Sequence, residues 1–484
     1  MPRRRQSTNG EAFYVRIAGS LAKLIESGAL RPGDRIPSVR QTSRQHRVSV
    51  TTAVQAYLTL ENSGMIEARS KSGFFVRHRP WQLLSEPLMS QPNAKIAPKE
   101  SQTLLAQVID SMNAHDVVQF GASSPSVTLL PVQKLNRMLA SAARLYGRES
   151  IEYGIPPGCA ALRRVLARRA LEWGVTVSPD EIITTNGGME ALVICLRAVT
   201  KPGDLVAIES PTYFGVVQAI EQLGLKAVEI ATHPRRGMSL EDLERVLRTR
   251  RIGACLAIPN FNNPLGSLMP DAAKERLVSM LGRRNIPLIE DDLYGDLYFG
   301  TSRPYVARAF DKKGLAMLCG SFSKTLAPGY RVGWMVPGRF FEKARNLKST
   351  SSGATATVPQ LALADYVANG GYDHHLRALR QALKRQVEQV SQAVAETFPP
   401  ETKLTRPSGG FVLWVELPSR VDALQIYRRA REEKISIAPG PLFSPSQGYR
   451  NFIRLSCAHP WSPRLERAIG VLGYLVKSST RASH

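Results

Sequence analysis

Acidic residues are scarce in this 484-residue chain: 40 Asp and Glu stand against 64 Lys and Arg, a formal net charge of +24. That deficit excludes a polyanion-repelling surface and points to nucleic acid as partner, ahead of anionic membrane. Cysteine is scarce too. Cys159, Cys195, Cys255, Cys319 and Cys457 form no C-x-x-C pair, which argues against a disulfide framework or a cysteine zinc site and fits a reducing compartment. No run approaches 18 apolar residues, so no membrane span is expected. Arg3, Arg4 and Arg5 lie near the start, but the polar Gln6–Glu11 behind them removes an export-signal reading. They read as a solvated tail or as a minor-groove arm. There is no H-E-x-x-H and no Walker loop, and His374–His375 lacks metal-ligand spacing to any cysteine. The expectation is a cytoplasmic protein without a metal.

What is present suggests two or three domains, on length alone. Residues 1–79 hold 14 Lys and Arg against 5 Asp and Glu, a net +9. Residues 11–79 are densely patterned and read as one domain. Residues 80–112, with Pro80, Pro87, Pro92 and Pro98 among Ser, Gln and Lys, read as an extended linker. From 113 to 484, β-like runs such as LVAIES (205–210), ACLAIPN (254–260) and IPLIEDD (286–292) alternate with amphipathic helical stretches. This predicts a mostly parallel, doubly wound α/β sheet. After about Val358 the pattern changes to a long polar helix and the run GGFVLWVEL (409–417), a smaller α+β lobe.

In the first domain, Ser38 and Ser49 are placed to cap helices, and Ala53, Ala56, Tyr57 and Leu60 mark one buried stripe. The strings SGALRPGDRIPSVRQ (27–41), VSVTTAVQAY (48–57) and SGMIEARSKSGFFV (63–76) resemble the winged helix-turn-helix of the GntR family. That resemblance implies double-stranded DNA as partner, with contacts from Arg40, Arg44, Thr51, Thr52, Gln55, Arg69 and Lys71. Many members carry arginine after the capping serine, where this chain has Val50.

The remainder resembles the fold-type I, class I aminotransferases, which implies pyridoxal 5′-phosphate (PLP). In SFSKTLAPGYRVGW (321–334), Lys324 would form the Schiff base and Ser321 and Arg331 would hold the phosphate. IEDDLYGDLYF (289–299) would supply Asp291 for the pyridine nitrogen, with Asp292 the competing carboxylate, and Tyr294 for the phenolic oxygen. PNFNNPLG (259–266) would bring Asn263 to the same oxygen. TTNGGMEAL (184–192) would offer the phosphate the N–H groups of Gly188 and Met189 at a helix start, where members often carry Ser and Gln. ESPTYFG (209–215) would stack Tyr213 on the ring. YGIPPGCAALR (153–163) would send Tyr153 to the phosphate of a second subunit, implying a homodimer. FIRLSCA (452–458) would use Arg454 to grip an α-carboxylate. A GntR winged helix joined to such a body resembles the MocR-type regulators, in which PLP or an amino compound is sensed. A working transaminase carrying a DNA-binding appendage stays open beside that expectation.

Overall fold

Two serines start two of the N-terminal helices. The computed structural model describes residues 13–27, 29–31, 33–69, 72–76, 84–92, 108 and 116–481. Its contacts divide the chain into one unit of the N-terminal residues to Leu84 and another of nearly all of the rest. In the first, α1 (Phe13–Glu26) precedes α2 (Val39–Gln45) and α3 (Val50–Asn62). Ser38 Oγ accepts from Gln41 N at 3.2 Å and Ser49 Oγ from Thr52 N at 3.1 Å, satisfying N–H groups that a helix start leaves unpaired. Ala53 is buried, and Ala56, Tyr57 and Leu60 pack with Ile17, Leu21, Ile36, Ile66 and Val76. The hairpin of β1 (Ile66–Arg69) and β2 (Gly73–Val76) pairs Ile66 with Val76 and completes a winged helix.

The second unit is built on an eight-stranded sheet. After β3 (Val118–Gln119) come β4 (Ile183–Thr185), β5 (Leu205–Ser210), β6 (Lys226–His233), β7 (Gly237–Met238), β8 (Ile252–Ala257), β9 (Leu288–Asp291), β10 (Ala316–Ser321) and β11 (Gly333–Val336). They lie in the order β4-β11-β10-β9-β8-β5-β6-β7. The pairs β10–β9, β9–β8, β8–β5 and β5–β6 are parallel, while β11 and β7 run antiparallel to their neighbours. Two apolar clusters, one around Ile208, Leu256 and Ile289 and one around Ala207, Cys255 and Leu288, take alternate side chains of the same strands. Both faces are therefore covered, as a parallel sheet requires.

The smaller lobe holds β12 (Lys403–Leu404), β13 (Val412–Glu416), β14 (Ile435–Ser436), β15 (Ala438–Pro439) and β16 (Phe452–Ser456), with β12-β13-β16-β15 as its sheet. Two findings depart from the sequence expectation. The strand β3 pairs in parallel with β14, so the small lobe recruits chain from far before residue 358. Part of the expected linker is also tied to the body. Leu404 N donates to Ser85 O at 2.9 Å and Arg406 N to Glu86 Oε1 at 3.2 Å, while Arg235 pairs with Glu86. Ser90 N donates to Thr232 O at 3.1 Å, Thr232 N donates to Ser90 Oγ at 2.7 Å, and Ser90 Oγ donates to Ser210 O at 2.5 Å. Residues 85–90 thus bridge the small lobe and the large one.

Candidate cofactor site

The C-terminal ends of β9 and β10, the helix start at Gly188 and the loop after β8 surround a cavity of about 130 Å³. This is where parallel sheets place their ligand sites. Lys324 follows β10 and lines the cavity, its Nζ donating to Ser123 O at 2.5 Å. Burial, helped by the nearby Arg454, brings its ammonium down to about 8. Asp291, the last residue of β9, also lines the cavity. Its Oδ1 accepts from Leu293 N at 3.1 Å, and burial raises its carboxyl to about 7. Asp292 does not line it. That side chain is held by Asn260 Nδ2 at 2.8 Å and by Arg303, which also reaches Asp296 at 2.7 Å. Consecutive strand residues face opposite ways, and that alternation separates the two carboxylates that sequence left in competition.

Tyr294 is buried, and Asn263 Nδ2 donates to its phenol at 3.4 Å. Burial also pushes the Tyr294 hydroxyl upward. Asn263 Oδ1 in turn accepts from Arg454 Nη1 at 3.2 Å. Arg454 is fully buried on β16, its Nη2 donates to Gly121 O, and its Nε has no hydrogen-bond partner. Among the described residues no carboxylate pairs with this guanidinium. A buried cation with a free donor and no counter-ion is suited to an incoming carboxylate. Tyr213 lines the cavity just before the helix Phe214–Gln222.

At the other end, Gly188 and Met189 begin the helix Gly188–Val199. Gly187 has φ 85°, and a Cβ there would collide with the guanidinium of Arg331. Arg331 Nη1 donates to Ser323 Oγ at 3.3 Å and Nη2 to Asn186 O at 3.3 Å. The structure puts Ser323, and not Ser321, on the cavity wall. Ser321 Oγ sits just behind it, 2.8 Å from Ser323 Oγ, accepting from Ser323 N at 3.1 Å and bonded to Val332 O at 3.0 Å. An arginine, a hydroxyl and a helix N-terminus at one end suit a phosphate, and an amine facing a carboxylate across the middle suits a pyridoxal ring. The residues present therefore fit PLP. Tyr153 stands apart, 93% exposed, beside Ile151 and Ile155 on the surface.

Sequence reasoning missed three participants. Gly121 and Ser123 serve through their carbonyls, which no side-chain pattern announces. Glu209, fully buried and raised to about 7 by burial, accepts from Ile258 N at 2.8 Å and Asn262 Nδ2 at 2.7 Å, fixing the loop that carries Asn263. Its place at the end of β5, in a run otherwise apolar, was the available signal.

In the N-terminal unit, Arg40, Arg44, Thr51 and Gln55 are exposed on α2 and α3. Thr52 is half-buried, its hydroxyl 2.8 Å from Ser49 Oγ. Arg69 ends β1; Lys71 and Arg3–Arg5 lie outside the described residues.

Residues 115–472 match the aminotransferase class I and II family. The chain belongs to that family. Residues 13–76 match a second description, bacterial regulatory proteins of the gntR family. The aminotransferase-family chain is 38% identical over 464 residues to an uncharacterized HTH-type transcriptional regulator, YdcR, of Escherichia coli (strain K12), covering 96% of this chain and 99% of that one. It is 32% identical over 348 residues to the 2-aminoadipate transaminase of Thermus thermophilus, covering 71% and 85%. Among solved structures, it is similar to LysN, an α-aminoadipate aminotransferase of the same organism complexed with N-(5′-phosphopyridoxyl)-L-leucine. That match has TM-score 0.72 and 28% identity, over 80% of this chain and 96% of that one.

Proposed function

We propose that this chain is a DNA-binding transcriptional regulator of the MocR type, in which an aminotransferase-like body holds PLP on Lys324 and receives an amino compound. One observation carries the reading: a winged helix with an outward-facing α3 and a cavity fitted for PLP occur in the same chain. The similarity to a regulator along both parts supports it. The domain limits proposed are 11–79 for DNA binding and 113–484 for the body, with residues 80–112 between them.

When bound, PLP supplies an electron sink for an amino group. The chain's own residues do the rest. Lys324, brought down to about 8, carries a larger neutral fraction near physiological pH than an ordinary lysine, and that fraction is the form that attaches. Asp291 holds a proton on the ring nitrogen. Tyr213 covers the ring, while Tyr294 and Asn263 orient its phenolic oxygen. Arg331, Ser323 and the N–H groups of Gly188 and Met189 take the phosphate, and Arg454 takes the carboxylate of the amino compound. A homodimer, with Tyr153 completing the phosphate site of a second subunit, accounts for that tyrosine's exposure among Leu145, Ile151 and Ile155. The location proposed is the cytoplasm; no helix among the described residues is long and apolar enough to cross a membrane.

A second reading, an amino acid:2-oxo acid aminotransferase with a DNA-binding appendage, is favoured by the lowered Lys324 and the unpaired Arg454. One experiment separates the two. DNA recovered by the purified protein is titrated with PLP-free, PLP-bound and amino-acid-bound protein, beside a transamination assay. A regulator's operator affinity changes by about 5- to 150-fold with the right ligand, and Arg454→Ala removes that response while retaining PLP. Fast transamination with DNA affinity indifferent to every ligand would establish the enzyme instead.

A further inference from the structure

The α3 sequence, VTTAVQAYLTLEN, contains no lysine or arginine. Its only charge, Glu61, accepts from Ala68 N at 3.2 Å and so serves the hairpin. The inward residues Ala53, Ala56, Tyr57 and Leu60 are at most 2% exposed. Facing outward is an apolar ridge at i, i+4 and i+8, made of Val50 (51% exposed), Val54 (39%) and Leu58 (41%). Beside it run the exposed Thr51 and Gln55. Thr52 turns its hydroxyl to Ser49. The exposed cations nearby, Arg40, Arg44 and Arg47, precede α3 rather than sit on it.

That composition limits what the helix can read. Guanine is recognised chiefly by an Arg or Lys fork on its O6 and N7, and α3 has neither. A glutamine amide matches adenine N6 and N7, and an apolar side chain matches the C5-methyl of thymine. Exposed valines at the start of a helix would otherwise face water, whereas thymine methyls in a major groove would cover them. The neighbouring arginines suit the phosphates on either side of such a groove.

We propose that α3 reads A·T base pairs, with Val50 and Val54 packed on thymine methyl groups and Gln55 bonded to adenine. This rests on the DNA-binding function proposed above and specifies its ligand. The test uses the full-length chain. Duplexes are selected from a random pool, and each thymine of the selected site is then replaced by deoxyuridine, which lacks only the methyl. Affinities are measured at fixed salt for the wild type, Val50→Ala and Val54→Ala, all at half-exposed positions that the fold tolerates.

At one or two thymines per half-site, uracil is expected to weaken wild-type binding about fourfold, the worth of one buried methyl. Val50→Ala and Val54→Ala are each expected to show a loss at least that large already on thymine DNA, with no further loss when uracil replaces the thymine each one packs on. Tight, selective binding that is indifferent to uracil at every position overturns the proposal. So does uracil sensitivity that persists unchanged in both variants. A chain that binds no duplex at any salt defeats the DNA-binding reading itself, a distinct outcome.

Discussion

The proposed attachment of PLP to Lys324 makes cofactor loading depend on that amine's ionisation. The free amine attacks and the ammonium does not, so loading follows the neutral fraction. With the group at about 8, that fraction grows about tenfold from pH 7 to pH 9. Asp291, at about 7, ionises over the lower part of the range and acts in the same direction. Stopped-flow absorbance of PLP-free protein mixed with PLP should show the rate rising with pH and levelling above 9; a rate that falls from pH 7 to 9 contradicts the assignment. The two neighbouring carboxylates should separate cleanly. Hydrogen bonds to charged groups are worth about 1.5–3 kcal/mol, so Asp291→Asn is expected to weaken PLP binding about 10- to 150-fold. Asp292→Asn is expected to lower the melting temperature while sparing PLP affinity, because its partners are Arg303 and Asn260. Equilibrium dialysis and calorimetry check both. At this scale Lys324, Asp291, Tyr294, Asn263, Tyr213 and Arg331, all named from sequence motifs, line one cavity. Gly121 and Ser123 were not legible, because a carbonyl belongs to every residue. Of the two serines in the motif, Ser323 lines the cavity and Ser321 is hydrogen-bonded to it from behind.

Among elements, the helices with serine caps and regular apolar spacing were readable to within a residue or two, since local chemistry sets their ends. Ser38 before α2 and Ser49 before α3 are examples. The two-residue strand β3 was not readable, because it exists only through its pairing with β14. Residues 85–90 were misjudged for the same reason. Proline and polar residues forecast an extended segment correctly but carry no sign of docking, which depends on Thr232, Ser210, Leu404 and Arg406, all remote in sequence. Ser90→Ala should therefore destabilise the body. It strips the acceptor from Thr232 N, an N–H on a residue 1% exposed; leaving a buried donor unpaired costs about 1–3 kcal/mol. Urea denaturation of the full chain measures the shift, and an unchanged midpoint would show that the segment merely rests on the surface.

Over the whole molecule, basic residues exceed acidic ones by 24, yet α3 contributes only an acidic side chain. Affinity for DNA in general grows with the number of phosphates neutralised, and the exposed arginines nearest α3, Arg40, Arg44 and Arg47, lie outside it. On the proposal above, α3 reads the bases. The division has an evolutionary consequence. A duplicated gene can drift at Val50, Thr51, Val54 and Gln55 without disturbing the core, the cofactor cavity or the electrostatic grip on DNA. Each copy keeps its sensor and acquires a new address, so a lineage of such regulators diversifies its targets through a few codons of one helix.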